Sequence, residues 1–194
     1  MIHVVTTRAT RPFKIAFIGT HGVGKTTLCY DLAAALKRRG RNADVVKEVA
    51  RQSPLPINQK TSLDAQTWIL MTQVAEEIRS ASRHDVVVCD RSVLDNYAYM
   101  VLACGRQPAL EPFVESWMRT YDVLFKVPVC GAVTPDGVRD TDRGFLEAID
   151  AEVDRLLDEK RVPHERLLAA DRERWSERVR EVLSGHGLAF ETEA

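Results

Sequence analysis

The sequence predicts a three-layer α/β fold built around a five-stranded parallel sheet. Three observations carry this. Short apolar runs of strand length recur along the chain. Segments with helical periodicity separate them, the alternation expected of a parallel sheet covered on both faces. No repeat or low-complexity tract interrupts the pattern, and 194 residues suit one domain.

Lys14–Ile18 is an apolar run that stops at Gly19 and reads as the first strand. Lys25–Gly40 follows as a helix. Leu28, Leu32, Ala35 and Leu36 share one face, Lys37, Arg38 and Arg39 suit the negative helix end, and Gly40 is a stop. Ala43–Glu48 is the second strand, and the turn formers of Ser53–Thr61 mark a loop. Ser62–Arg83 is a long helix whose stripe of Leu63, Trp68, Met71, Val74, Ala75 and Ile78 is expected to face the core. Asp85–Cys89 is a third, strongly apolar strand, followed by helices at Ser92–Cys104 and Leu110–Thr120. Tyr121–Val127 is the fourth strand, Thr141–Lys160 a helix, His164–Leu168 a weak fifth strand and Arg172–Leu183 a terminal helix. The expected division is an arm at 1–12, a domain at 13–185 with a short lid near 130–144, and a tail at 186–194. Chemistry is expected at the C-terminal ends of the strands.

Composition narrows the function. Lys plus Arg number 27 and Asp plus Glu 28, a formal net charge of −1. That speaks against a chain that holds nucleic acid by its overall charge. The run Lys37-Arg38-Arg39-Gly40-Arg41 reads as a solvated helix end. No apolar run approaches the roughly 18–20 residues of a membrane span, and Met1–Pro12 lacks the apolar stretch of a secretory signal, so a cytoplasmic protein is expected. Cys29, Cys89, Cys104 and Cys130 form no C-x-x-C pair and read as structural thiols.

Gly19-Thr20-His21-Gly22-Val23-Gly24-Lys25-Thr26 matches G-x-x-x-x-G-K-S/T between a strand and an amphipathic helix. Glycines let the backbone curl so that N–H groups point at phosphate oxygens, and the helix start adds a field that favours anions. Gly19, His21, Gly22, Val23, Gly24, Lys25, Thr26 and Thr27 are the expected contacts to ATP, with Lys25 on the β- and γ-phosphates and the Thr26 hydroxyl on Mg²⁺. No N-K-x-D guanine signal is present, which disfavours a GTPase. The third strand runs into Asp90-Arg91-Ser92, where an acid can hold Mg²⁺ and an arginine can meet phosphate.

The phosphate loop, Asp90-Arg91-Ser92, the segment Val46-Lys47-Glu48-Val49-Ala50-Arg51 with Pro54 and Pro56, and Asp136-Gly137-Val138-Arg139-Asp140 together resemble P-loop nucleoside and nucleotide kinases. The resemblance is closest to the nicotinamide riboside kinase domain and related small AAA-type ATP-binding proteins, and covers roughly residues 13–160. It implies a P-loop NTPase sheet of order 2-3-1-4-5 and transfer of the ATP γ-phosphoryl to a small nucleoside-like acceptor. Glu48 is then expected at the acceptor hydroxyl, a role for which Asp90 is the rival. Arg91, with the lid arginines Arg139 and Arg143, would steady the transferring group. Arg51, Asp95 and Tyr97 are the further acceptor contacts, drawn from a set that includes Trp68, Gln73, Asn96 and Tyr99. Val101, Leu102, Val114, Trp117 and Met118 offer a helix face for self-association or for the core. Two other functions use the same loop: an ATPase switch acting on a protein partner, and a polynucleotide 5′-hydroxyl kinase, which needs a positive groove.

Overall fold

The computed structural model describes residues 11–57, 60–130 and 142–190. Its strands β1 (Phe13–Ile18), β2 (Ala43–Val46), β3 (Val86–Asp90), β4 (Val123–Lys126) and β5 (Glu165–Arg166) form one sheet in the order β2-β3-β1-β4-β5. All four pairings are parallel, with Ile15 opposite Val88 and Val123. Among the described residues six α-helices complete the layers: α1 (Lys25–Arg38), α2 (Leu63–Ala81), α3 (Val93–Cys104), α4 (Glu111–Met118), α5 (Arg143–Glu159) and α6 (Trp175–Gly185).

Strand side chains alternate between the faces, so β1 feeds two cores. Ile15 and Phe17 pack beneath α1 and α6 with Leu32, Leu36, Val179 and Leu183. Ala16 and Ile18 pack beneath α2, α3, α4 and α5 with Leu70, Leu94, Met100, Ile149 and Leu156. Phe17 stacks on Phe125 of β4, ring centroids 5.3 Å apart. Val114 and Met118 are buried in the second core and Trp117 packs against it, which gives the α4 part of the expected association face to the interior.

Three elements differ from expectation. β2 stops at Val46, because Val49 turns inward to full burial and starts a 3₁₀ turn at Val49–Gln52. β5 is two residues long, an edge strand paired only on its β4 side. The inward face of α2 is rotated from the apolar stripe. Leu63, Met71 and Ile78 are exposed, while Gln66, Gln73, Glu77 and Ser80 are buried. Glu77 points inward there to meet Lys14 of β1, itself 6% exposed, while Gln73 bonds Glu77 and the Arg91 carbonyl, Ser80 bonds Asp44 of β2 and Gln66 bonds Thr61.

Among the described residues no helix is long and apolar enough to cross a membrane. All four cysteines are free thiols, and burial raises the pKa of Cys29 and Cys89 well above the ordinary thiol value, which keeps them protonated and inert.

Candidate active site

The loop between β1 and α1 sits at the C-terminal edge of the sheet, flanked by the ends of β3 and β4. Its conformation requires glycine. Gly19 has φ +130°, and a Cβ there would stand 2.7 Å from the Val127 carbonyl oxygen. Gly24 caps α1 at φ +102°, a left-handed value that side chains resist. Val23 anchors the loop in the first core, and Thr27 lies exposed on the first turn of α1.

Lys25 is buried and donates from Nζ to the carbonyl oxygens of Gly19 (3.0 Å) and Thr20. Burial and the Arg91 charge lower its pKa to about 8, against the raising pull of Asp90, Asp95 and Glu48. The Thr26 hydroxyl donates to Asp90 Oδ2 at 2.5 Å. Burial raises the Asp90 pKa, opposed by Lys25 and by that hydroxyl. Asp90 and Thr26 therefore form a pair of adjacent oxygen donors at the foot of the loop.

Arg91 has φ +91°, uncommon for a residue with a side chain and typical of strained functional turns. The surroundings hold it there. Its N–H donates to Phe17 O (3.1 Å), and its carbonyl accepts from Gln73 Nε2 (3.3 Å). The turn swings the guanidinium across the cleft, where Nη2 lies 2.7 Å from Glu48 Oε1 and the charge rests over the Tyr99 ring at 4.9 Å. Arg51 Nε donates to the other Glu48 oxygen at 2.9 Å. Burial alone would raise the Glu48 pKa, but Arg91, Lys25 and the two arginine hydrogen bonds lower it to about 2.

This sets a pH dependence. The folded value lies below the ordinary 4.5, so the ion pair stabilises the fold fully above about pH 4.5 and is lost as pH falls through about 2. Glu48→Gln is expected to flatten the acid limb of the stability curve between about pH 5 and 2, read by urea unfolding across that range.

Two clefts meet at this cluster. The outer one, about 210 Å³, is lined by the phosphate loop together with Glu48, Asp90, Arg91 and Arg172. The inner one, narrow at about 40 Å³, is lined by Ala50, Arg51, Ile57, Gln66, Ile69, Asn96 and Tyr99. His21, Glu48 and Arg91 line both. His21 Nδ1 is 2.9 Å from the Tyr99 hydroxyl, and its ring lies 6.2 Å from Phe145 of α5.

The structure thus brings together Lys25, Thr26, Glu48, Arg51, Asp90, Arg91 and His21. It holds three other expected residues apart. Asp95 is fully buried, with one oxygen accepting from Gly19 N at 2.7 Å and the other from Ser92 N and Oγ in a capping box, so its lone pairs belong to the backbone frame rather than to an acceptor. Tyr97 lies in the second core with its hydroxyl on Glu111 and Gln107, away from the cleft. Arg143 is 89% exposed and pairs with Glu147 along α5. Arg139 and most of the expected lid lie outside the described residues. Of the wider acceptor set, Asn96 and Tyr99 line the inner cleft. Gln66, Ile57, Ile69 and Arg172 carried no local motif that would have singled them out.

Sheet order, phosphate loop and strand-end acid define a P-loop protein of kinase-like topology. The AAA domain family matches residues 14–178, and the chain belongs to that family. No curated protein matches it in sequence. Among solved structures it is similar to thymidylate kinase from Ehrlichia chaffeensis, with TM-score 0.66 and 18% identity over 90% of this chain and 100% of that one. It is similar to the NadR protein solved in complex with NR, with TM-score 0.70 and 18% identity over 94% of this chain and 54% of that longer one. A third similar structure is deoxyadenosine kinase from M. mycoides with bound dATP, with TM-score 0.62 and 17% identity over 89% and 99% of the two chains. At these identities the likeness shows the fold.

Proposed function

We propose that the protein transfers the γ-phosphoryl group of ATP to a hydroxyl or phosphate of a small nucleoside-like acceptor. The observation that carries this is the meeting of two clefts at His21, Glu48 and Arg91. A hydrolytic switch needs only the outer cleft; a second cleft that opens onto the same charged cluster supplies the place for an acceptor.

The outer cleft takes the triphosphate. Backbone N–H groups of the loop and the start of α1 face its oxygens, and Lys25 leaves the loop carbonyls to meet the β- and γ-phosphates. Arg172 approaches from the far rim. Thr26 and Asp90 fit Mg²⁺, which favours oxygen donors and keeps one or two protein ligands beside phosphate and water. When bound there, Mg²⁺ would offset charge on the β- and γ-oxygens. Arg91, fixed by Glu48 and Tyr99, adds positive charge where the two clefts join.

Glu48 orients the acceptor hydroxyl. With a pKa held to about 2 it is a weak base, and a loose phosphoryl-transfer transition state requires positioning more than early proton removal. Its carboxylate accepts the hydroxyl's hydrogen bond and takes the proton as the new P–O bond forms and the bond to ADP breaks.

The test is ADP formation from Mg²⁺-ATP with ribonucleosides, deoxynucleosides, nicotinamide riboside, nucleoside monophosphates and a 5′-hydroxyl oligonucleotide. Stimulation by a small acceptor is expected, together with a loss of turnover of about 10²-fold or more in Asp90→Asn. ATP hydrolysis indifferent to every acceptor would replace this reading by a switch acting on a protein partner.

A further inference from the structure

We propose that a cavity at the edge of the sheet opposite the phosphate loop is a second ligand site. It takes a small oxyanion that carries an apolar body, and its occupancy is felt at the Arg91 turn through Tyr121. The cavity opens between the end of α4, the segment leading into β4 and the turn from α5 to β5. It measures about 480 Å³, larger than the outer cleft and within the roughly 300–1,000 Å³ of small-molecule sites. Met118, Tyr121, Leu124, Val162 and Pro163 form its apolar lining. The first three belong to the second core, so the cavity reaches core side chains.

The charged lining sets the ligand's sign. Its carboxylates are engaged: Glu115 accepts from Lys160 at 2.8 Å, and Asp122 accepts from Arg11 and from Lys14 N. Lys160 also donates to Glu111 at 3.3 Å. Arg119 and Arg161 complete the lining. Both are exposed, and neither guanidinium has a hydrogen-bond or ion-pair partner among the described residues. Arg161 has φ +50°, at the left-handed position that closes α5 and favours glycine. Glycine would close that turn with the same backbone bonds, from residue 161 N to Asp158 O and Val162 N to Leu157 O, so the guanidinium is no part of it. Two unpaired guanidinium forks beside an apolar lining suit an oxyanion head on an apolar body. A cation would meet both positive charges, and a bare inorganic anion would leave the apolar lining wet. Carboxylate and phosphate both supply such a head. Tyr121 joins the cavity to the active site. Its hydroxyl accepts from Val93 N at 3.3 Å and donates to Glu77. Val93 stands two residues past Arg91, and Glu77 accepts from Gln73, which also donates to the Arg91 carbonyl. A ligand packed on Tyr121 therefore bears on both supports of that turn.

The experiment measures binding by calorimetry on the full chain, with Mg²⁺-ADP present to fill the phosphate loop. The probes are naphthoate and naphthyl phosphate. Naphthalenemethanol lacks the charge and inorganic phosphate lacks the body. At least one of the two anions is expected to bind about 10-fold or more tightly than both controls, and which one identifies the head group. Arg119→Gln and Arg161→Gly are each expected to weaken that anion by about 10-fold. Neither should lower the melting temperature, since the first changes an exposed, unpaired side chain and the second relieves a left-handed residue. Equal binding of the neutral alcohol, unchanged affinity in the variants, or failure of both anions to bind overturns the site. Where one variant does not fold, the other decides. The link to the active site is read from the Val93 amide resonance by NMR, which is expected to shift when the anion binds. A resonance that stays in place overturns the link. None of these readouts involves phosphoryl transfer, so they stand or fall apart from the kinase reading.

Discussion

Lys25→Met is expected to lower acceptor-dependent ADP formation by about 10²–10³-fold, the usual cost of removing one preorganised charge or donor from a site where charge develops. It should also abolish the thermal shift produced by ATP. For a chain of this size, ligand at 100 times its Kd contributes about 2.7 kcal/mol, or roughly 5–10 °C, and this should vanish in the variant. The ligand-free fold responds differently. Burial holds the Lys25 pKa near 8, below its ordinary 10.5. The unfolded chain therefore keeps a proton that the folded chain has lost between those values, so wild-type stability rises with pH from about 8 to 10.5. Methionine removes the titrating group and with it that rise. It also relieves the desolvation of the ammonium, but takes a positive charge from Glu48, Asp90 and Asp95. These effects oppose, so the ligand-free melting temperature at pH 7 should move by only a few degrees. Scanning calorimetry at pH 7 and pH 10 with and without ATP checks all three. A collapse of the ligand-free fold would mean that Lys25 serves chiefly as a structural counter-charge.

The outline of this fold was legible because its signals are local. β1, β3 and α1 each carry their own hydrophobic pattern, and the loop between β1 and α1 is a contiguous motif with a geometric meaning. Residues of the site that follow directly from a strand end, such as Glu48, Asp90 and Arg91, were legible for the same reason. The lining of the inner cleft was not. Successive residues of a helix differ by about 100° in direction, so naming Asp95 and Tyr97 in place of Asn96 and Tyr99 turns the chosen face away from the cleft. One signal was available: Ser92-x-x-Asp95 is the spacing of a capping box, which commits Asp95 to the backbone. α2 misled for a different reason. Amphipathic reasoning assumes that polar residues face water, yet its buried side carries Gln66 and Gln73 to the site and Glu77 to Lys14. Only the tertiary partner explains that rotation, and it lies on β1, far away in sequence.

That partner leads to the largest expected loss of stability, from Glu77→Gln. Glu77 is fully buried and accepts four hydrogen bonds: from Lys14 Nζ (2.9 Å), Gln73 Nε2 (2.9 Å), Trp117 Nε1 (2.8 Å) and the Tyr121 hydroxyl (2.5 Å). Lys14 in turn donates to Thr120 Oγ1 and lies over the Trp117 and Tyr121 rings at 4.7 and 4.8 Å. The carboxylate joins β1, α2 and α4 with the segment just before β4. Glutamine keeps the shape but replaces one acceptor oxygen by an NH₂ group facing donors, and leaves the ammonium without a counter-charge. Breaking one partner of a buried pair costs about 3–5 kcal/mol, which lowers the melting temperature of a chain this long by roughly 6–20 °C. The double change Lys14→Met with Glu77→Leu should recover only part of this. It removes both charges, but Trp117 and Tyr121 keep donors with nothing to meet, at about 1–3 kcal/mol for each that water does not reach, and Gln73 keeps only the Arg91 carbonyl. Gln73 is also the group that holds the Arg91 carbonyl in its strained turn. Once its tie to Glu77 is cut, that turn should loosen, and turnover measured well below the new melting temperature should fall by more than the unfolded fraction explains. If turnover merely follows the folded fraction, the polar layer under α2 supports the fold without positioning Arg91.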